Sequence, residues 1–98
     1  MPGTQSALAA QWPGEIHVRV VDAVQGDPVA QARVRIESTT AVALTDAGGF
    51  ARLRAVEPGT YTLSADALSY ATVRKTVQVR NGEVTRVTLA LEPLGLAL

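Results

Sequence analysis

The 98-residue chain has no cysteine, one histidine, four aromatic residues, no net charge and no long apolar run. Each shortage excludes something. Without cysteine there is no disulfide framework, no thiolate nucleophile and no zinc site of the usual cysteine-rich kind. Nine basic residues balance nine acidic ones without a basic block or an acidic tail. No field of one sign is therefore available to hold nucleic acid or an anionic membrane. No apolar stretch approaches the ~20 residues of a membrane helix, so direct insertion of this segment is not expected. Nothing suggests a cofactor.

What is present is strand-forming material. Nearly half the residues are apolar, and Val, Leu, Ile and Ala supply most of them. At this length roughly 60 to 70% of the unfolded surface can be buried, enough for a single core. Ile16, Val18 and Val20 alternate with His17 and Arg19, which predicts a half-buried strand over 15–22. After the break at Gly26-Asp27-Pro28, Ala32, Val34 and Ile36 alternate with Arg33, Arg35 and Glu37. Val42 and Leu44 mark a short third strand, and Thr45-Asp46-Ala47-Gly48-Gly49 is a hairpin signal. A fourth strand over 51–56 turns at Pro58-Gly59 into a fifth over 61–65, where Tyr61, Leu63 and Ala65 point inward.

A sixth strand is expected over 70–79, but Lys75 shares parity with Val73 and Val77, so a bulge or break is expected near Arg74. Asn81-Gly82 then turns the chain into a seventh strand, with Val87, Leu89 and Leu91 inward. The turns recur every eight to twelve residues or so, and residues 65–71 are the only place for a helical turn. The fold class that follows is all-β, a seven-stranded Greek-key sandwich. Residues 1–14 read as a flexible N-terminal segment, 15–92 as the sandwich and 93–98 as a C-terminal linker. Within the first segment, Ser6-Ala7-Leu8-Ala9-Ala10-Gln11 resembles the cleavage end of a secretory signal; either a longer signal was trimmed or the likeness is chance.

Candidate sites are few. His17 lacks an orienting partner and a nucleophile beside it in sequence, so it reads as a strand residue. The loop at Asp46 lacks the alternating oxygen ligands of a calcium site, and Asp22, Asp27 and Asp66 read as turn residues. No metal ligands or catalytic residues are assigned. Lys75 and Asn81, the single lysine and asparagine, lie on one strand and its turn, so no isopeptide cross-link between sheets is expected. Tyr61 and Tyr70 are needed to fill the core. Trp12 and Phe50 are left as exposed rings that could contact a ligand, a weak platform for a glycan.

The motif order Gly26-Asp27-Pro28-Val29 with Ala32, Thr45-Asp46 to Gly49, Pro58-Gly59-Thr60-Tyr61 and Tyr70-Ala71 resembles the carboxypeptidase regulatory-like family. These are prealbumin-like, or transthyretin-like, sandwiches. Gln31 and Ser69 stand where that family usually has glycine, and Ala51 stands where an aromatic is common, with Phe50 displaced by one. The resemblance implies a non-catalytic accessory module of a larger protein, and the flanks favour the extension before the plug of a TonB-dependent outer-membrane receptor. Leu89-Ala90-Leu91-Glu92-Pro93 followed by Leu94-Gly95-Leu96-Ala97-Leu98 resembles the approach to such a receptor's energy-coupling box. The implied location is the Gram-negative cell envelope, on the periplasmic side of the outer membrane. The implied partners are neighbouring domains of the same polypeptide or other cell-envelope proteins. The alternatives are an extracellular carbohydrate-binding or adhesion module, or a structural domain on a secreted peptidase. Hydroxyisourate hydrolase shares the related fold but uses several histidines and a Tyr-Arg-Gly-Ser tail, and this chain has neither.

Overall fold

The computed structural model describes residues 12–95. The signal-like residues 6–11 and the last linker residues 96–98 lie outside them. Seven strands form two sheets: β1 (Gly14–Asp22), β2 (Arg33–Ile36), β3 (Val42–Leu44), β4 (Phe50–Val56), β5 (Gly59–Asp66), β6 (Val73–Val79) and β7 (Val84–Leu91). One sheet has the order β4-β1-β7 and the other β3-β2-β5-β6, so the chain crosses between them four times and the fold is the expected Greek-key sandwich. β1 and β7 run parallel, and the remaining pairs are antiparallel.

The period-two pattern accounts for the core. Ile16, Val18 and Val20 of β1 meet Val34, Ile36, Leu63 and Ala65 of the opposite sheet, with Leu89 and Leu91 beside them, all essentially without solvent contact. At about 1.5 to 3 kcal/mol per buried large side chain, this aliphatic layer is the main source of stability. No aromatic ring is fully inside. Tyr61 and Tyr70, expected to fill the core, are half-buried on its margin. Their hydroxyls explain the position, because each needs a polar partner that the aliphatic centre lacks. The Tyr61 hydroxyl donates to the Glu57 carbonyl at 2.6 Å, clamping the Pro58-Gly59 turn, and that of Tyr70 donates to Asp22 Oδ2 at 2.8 Å.

β6 differs from expectation in two ways. It begins at Val73, because Tyr70 instead forms an isolated bridge with Pro93. It also runs in unbroken register against β5, with no bulge at Arg74. Lys75 tolerates its inward parity because β6 is the outermost strand of its sheet and the side chain stays exposed. The bulge lies in β4, where Gly14 pairs with Val56 but Ile16 pairs with Leu53, and Ala55 absorbs the extra residue at φ 55°. No helical turn forms over 65–71; Asp66 ends β5 and pairs with Arg33 rather than making a turn. Gln31 and Ser69, at the usual glycine positions, adopt φ 60° and 72°, so the left-handed turn geometry is kept with side chains attached.

Two of the four inter-sheet connections, β1–β2 and β3–β4, are tied at one buried threonine. Thr45 Oγ1 donates to the Val29 carbonyl at 2.6 Å and accepts from the Ala32 amide at 2.9 Å. The expected hairpin at Thr45–Gly49 is instead a tight turn between sheets, because β3 and β4 belong to different sheets; within it Gly49 has φ 81°, and a Cβ there would lie 2.5 Å from the Val20 carbonyl oxygen. That turn delivers Phe50 to the surface.

Candidate functional site

Three strands bring one set of polar side chains onto the outer face of the β4-β1-β7 sheet. Outward parity places Arg52 and Arg54 on β4, Glu15, His17 and Arg19 on β1, and Arg86 and Thr88 on β7. The register then aligns them across the strands: Arg52, His17 and Arg86 form one row, and Phe50, Arg19 and Thr88 the next. Adjacent members of a row are about 5 Å apart at the backbone, and successive rows about 7 Å. The face forms the floor of an open groove of about 820 Å³, rimmed by Leu44 of β3 and Asp46 of the β3–β4 turn.

Electrostatically this floor is unbalanced. Its one carboxylate, Glu15, is occupied by His17, whose Nε2 lies 2.8 Å from Glu15 Oε1. That hydrogen bond, with weaker attraction from His17, Arg54 and Arg52 and against some burial, holds the Glu15 carboxyl below the usual carboxylate range. Among the described residues Arg19, Arg52, Arg54 and Arg86 make no salt bridge. Arg19 lies over the Phe50 ring at 5.5 Å from its centroid, a cation–π contact. At the rim, Asp46 is consumed by its own turn, its Oδ1 accepting from the amides of Gly48 and Phe50 at 2.9 and 3.0 Å.

The two rings singled out in the sequence are not brought together. Phe50 is about half exposed, and one face of it is covered by Arg19. Trp12 is exposed at the other end of β1, where its amide donates to the Asn81 side-chain oxygen and its carbonyl accepts from Gly82 at 3.0 Å. From Gly14 to Arg19 the strand rises on the order of 17 Å, so no single sugar ring spans them.

No reacting constellation is assembled. No serine or threonine hydroxyl bonds to His17 among the described residues, and no three His, Asp or Glu side chains converge there as metal ligands. Ser64, the buried hydroxyl without a partner, is flanked by Arg35 and Arg74 on neighbouring strands, with no base in that register. Asp22 is a turn residue as its type suggests, accepting from Val24 and Gln25 at 2.7 and 2.9 Å. The Gln25 amide first, then the Tyr70 hydroxyl and the Val24 amide, hold its carboxyl below the ordinary range, while the Tyr70 phenol is pushed up by Asp22. The cationic rows were not legible in the sequence: each arginine stands at outward parity, but which strands lie side by side is not encoded in alternation.

Solved structures share this fold at low identity. The TIE protein of Bacillus anthracis superposes with a TM-score of 0.68 and 18% identity over 84% of this chain and 17% of its own. The minor pilin of Streptococcus agalactiae gives 0.69 and 17%, over 90% and 48%. A candidate carbohydrate-binding protein from Bacteroides uniformis gives 0.63 and 19%, over 84% and 42%. The chain thus spans less than two thirds of the length of each. No curated protein matches it. A family model does match, over residues 15–92, and the chain belongs to the carboxypeptidase regulatory-like domain family.

Proposed function

We propose that this domain is a non-catalytic binding module of a longer cell-envelope protein, and that it engages neighbouring domains or partner proteins through the outer face of its three-stranded sheet. The observation that carries the reading is the set of four exposed arginines on that face that make no salt bridge among the described residues. A surface that concentrates cations in a neutral protein, with one guanidinium already braced on a ring, is suited to recognising an anionic partner.

The setting we infer is the periplasmic extension of a TonB-dependent outer-membrane receptor. The support is in the flanks of the domain, above all the run from Leu89 to Leu98. The coding sequence beyond Leu98 tests it. A coupling box, a plug and many amphipathic barrel strands are expected to follow; a stop codon or an unrelated domain contradicts the receptor setting.

A second reading, a glycan-binding or adhesion module, has exposed Trp12 and the likeness to the Bacteroides fold in its favour. Titration of neutral oligosaccharides against Trp12 fluorescence, with amide chemical shifts followed in parallel, examines it. Saturable changes in either would favour that reading over protein recognition.

A further inference from the structure

The four edges of the two sheets are not equally protected. β3 is only three residues long, and β6 carries the exposed Lys75 at inward parity, a charge that opposes burial of that edge by another sheet. The edge of β7 is bridged towards the other sheet near both ends: Thr85 Oγ1 donates to the Gln78 carbonyl, and just past the strand the Glu92 carbonyl accepts from the Ala71 amide. β4 is different. It is seven residues long and lies outermost in its sheet. Among the described residues nothing outside the β1 ladder hydrogen-bonds to the backbone of residues 51–56. An open edge of this kind can accept a further strand through main-chain hydrogen bonds.

The side chains along that edge select what could add. Phe50, Arg52 and Arg54 project outward at successive alternate positions, about 7 Å apart, and Arg19 lies beside Phe50. A strand laid along β4 would place its own alternate residues about 5 Å from Arg52 and Arg54, where opposite charges attract and like charges repel. Carboxylates at every second position therefore match. The β4 bulge ends the regular ladder after Leu53, so the complementary stretch is short: the four residues Phe50–Leu53, with Arg54 at its margin. Because Arg19 already covers a face of Phe50, stacking on a sugar is disfavoured relative to charge recognition.

We propose that β4 is a docking edge for an extended acidic polypeptide segment, with Asp or Glu at alternate positions, that adds as a fourth strand beside β4 and sets its carboxylates against Arg52 and Arg54. This deepens the reading of the domain as a protein-binding module and does not depend on the receptor setting: a stop codon after Leu98 would remove that setting and leave this edge unaffected.

The test uses an eight-residue peptide alternating glutamate with threonine, titrated into the 98-residue chain. Three comparisons accompany it: the same peptide with backbone N-methylation at alternate residues, a peptide of equal composition with its glutamates in one block, and polygalacturonate as an acidic glycan. The alternating peptide is expected to bind, with amide shifts concentrated in residues 50–54. Arg52→Glu with Arg54→Glu, both exposed and checked for an unchanged far-ultraviolet spectrum, should weaken it about tenfold or more. N-methylation should abolish binding while leaving the charge intact. Absence of binding by the alternating peptide overturns the proposal. So does equal binding by the methylated or blocked peptide, or by the charge-reversed protein, since each would show attraction without strand addition or without the arginines. Binding of polygalacturonate alone would overturn it in favour of an acidic glycan.

Discussion

The outer faces of the two sheets carry similar numbers of arginines and treat them in opposite ways. On the four-stranded sheet, Arg33 is paired with Asp66 at 3.5 Å and Arg74 with Glu37 at 2.6 Å, leaving Arg35 between them without a salt bridge. On the three-stranded sheet the single carboxylate, Glu15, is taken by His17, and the four arginines make no salt bridge among the described residues. A chain with no net charge therefore has one nearly neutral face and one cationic face. Net charge bounds the partners a domain can hold at long range, but the fold decides where charge is concentrated at short range. Nucleic acid was set aside on overall balance; a local acidic segment is compatible with the same balance.

The contrast can be broken most severely where the two sheets are tied. Replacing Thr45 with Val keeps the shape but leaves the Ala32 amide and the Val29 carbonyl buried without partners. A loss of about 2 kcal/mol is expected by chemical denaturation. The β3–β4 turn that presents Phe50 should loosen with it, visible as faster amide exchange at Gly49 and Phe50.

Relieving backbone strain should act in the opposite direction and more weakly. Gln31→Gly and Ser69→Gly replace left-handed residues with the one type that adopts that conformation freely. Each is expected to raise stability by a few tenths to about 1 kcal/mol, since the gain in the folded state is partly offset by a more flexible unfolded chain. Unchanged or lower midpoints would show that the side chains at these turns contribute contacts that outweigh the strain.

Neutralising the paired face sharpens the comparison more than it perturbs the protein. Asp66→Asn with Glu37→Gln would leave Arg33 and Arg74 unpartnered and make the two faces alike. Because both pairs are largely exposed, only about 0.2 to 1 kcal/mol each is expected to be lost. If recognition of acidic peptides depends on charge alone, this variant should acquire a second binding face; if the open edge of β4 is required, it should not.

The smallest effect concerns the Asp22–Tyr70 contact, remote from both faces. Asp22 is held below its ordinary range, so its stabilisation is present above its unfolded pKa and is lost as pH falls through the lower folded value. Tyr70 is raised, so its contribution is full below its unfolded pKa and is lost as pH rises through the higher folded value. Tyr70→Phe should flatten the alkaline limb of the stability profile and soften the acidic one, without changing peptide recognition.

Much of the fold was legible in the residues. Alternation located all seven strands, and Asp46 to Gly49, Pro58-Gly59 and Asn81-Gly82 located the turns between them. What alternation could not supply was neighbourhood. Ser64 stands at polar parity yet is buried, because Arg35 and Arg74 flank it from strands whose pairing is not written locally. Lys75 suggested a bulge only because the edge position of β6 was unknown. The candidate site was hidden for the same reason: Arg19, Arg52 and Arg86 are far apart in sequence and become one surface only through the order β4-β1-β7. Trp12 and Phe50 were found as exposed rings, but their separation along β1 depends on that assembly.

The central claim is that function resides in the cationic outer face and open edge of the three-stranded sheet. Backbone amide mapping of the domain with the alternating glutamate peptide, recorded at low and at elevated salt, tests it most directly. The account predicts shifts concentrated in residues 50–54 and 17–19 that fade as salt screens the arginines. Shifts confined to Trp12 and the Asn81-Gly82 turn, or to the four-stranded face, would contradict it.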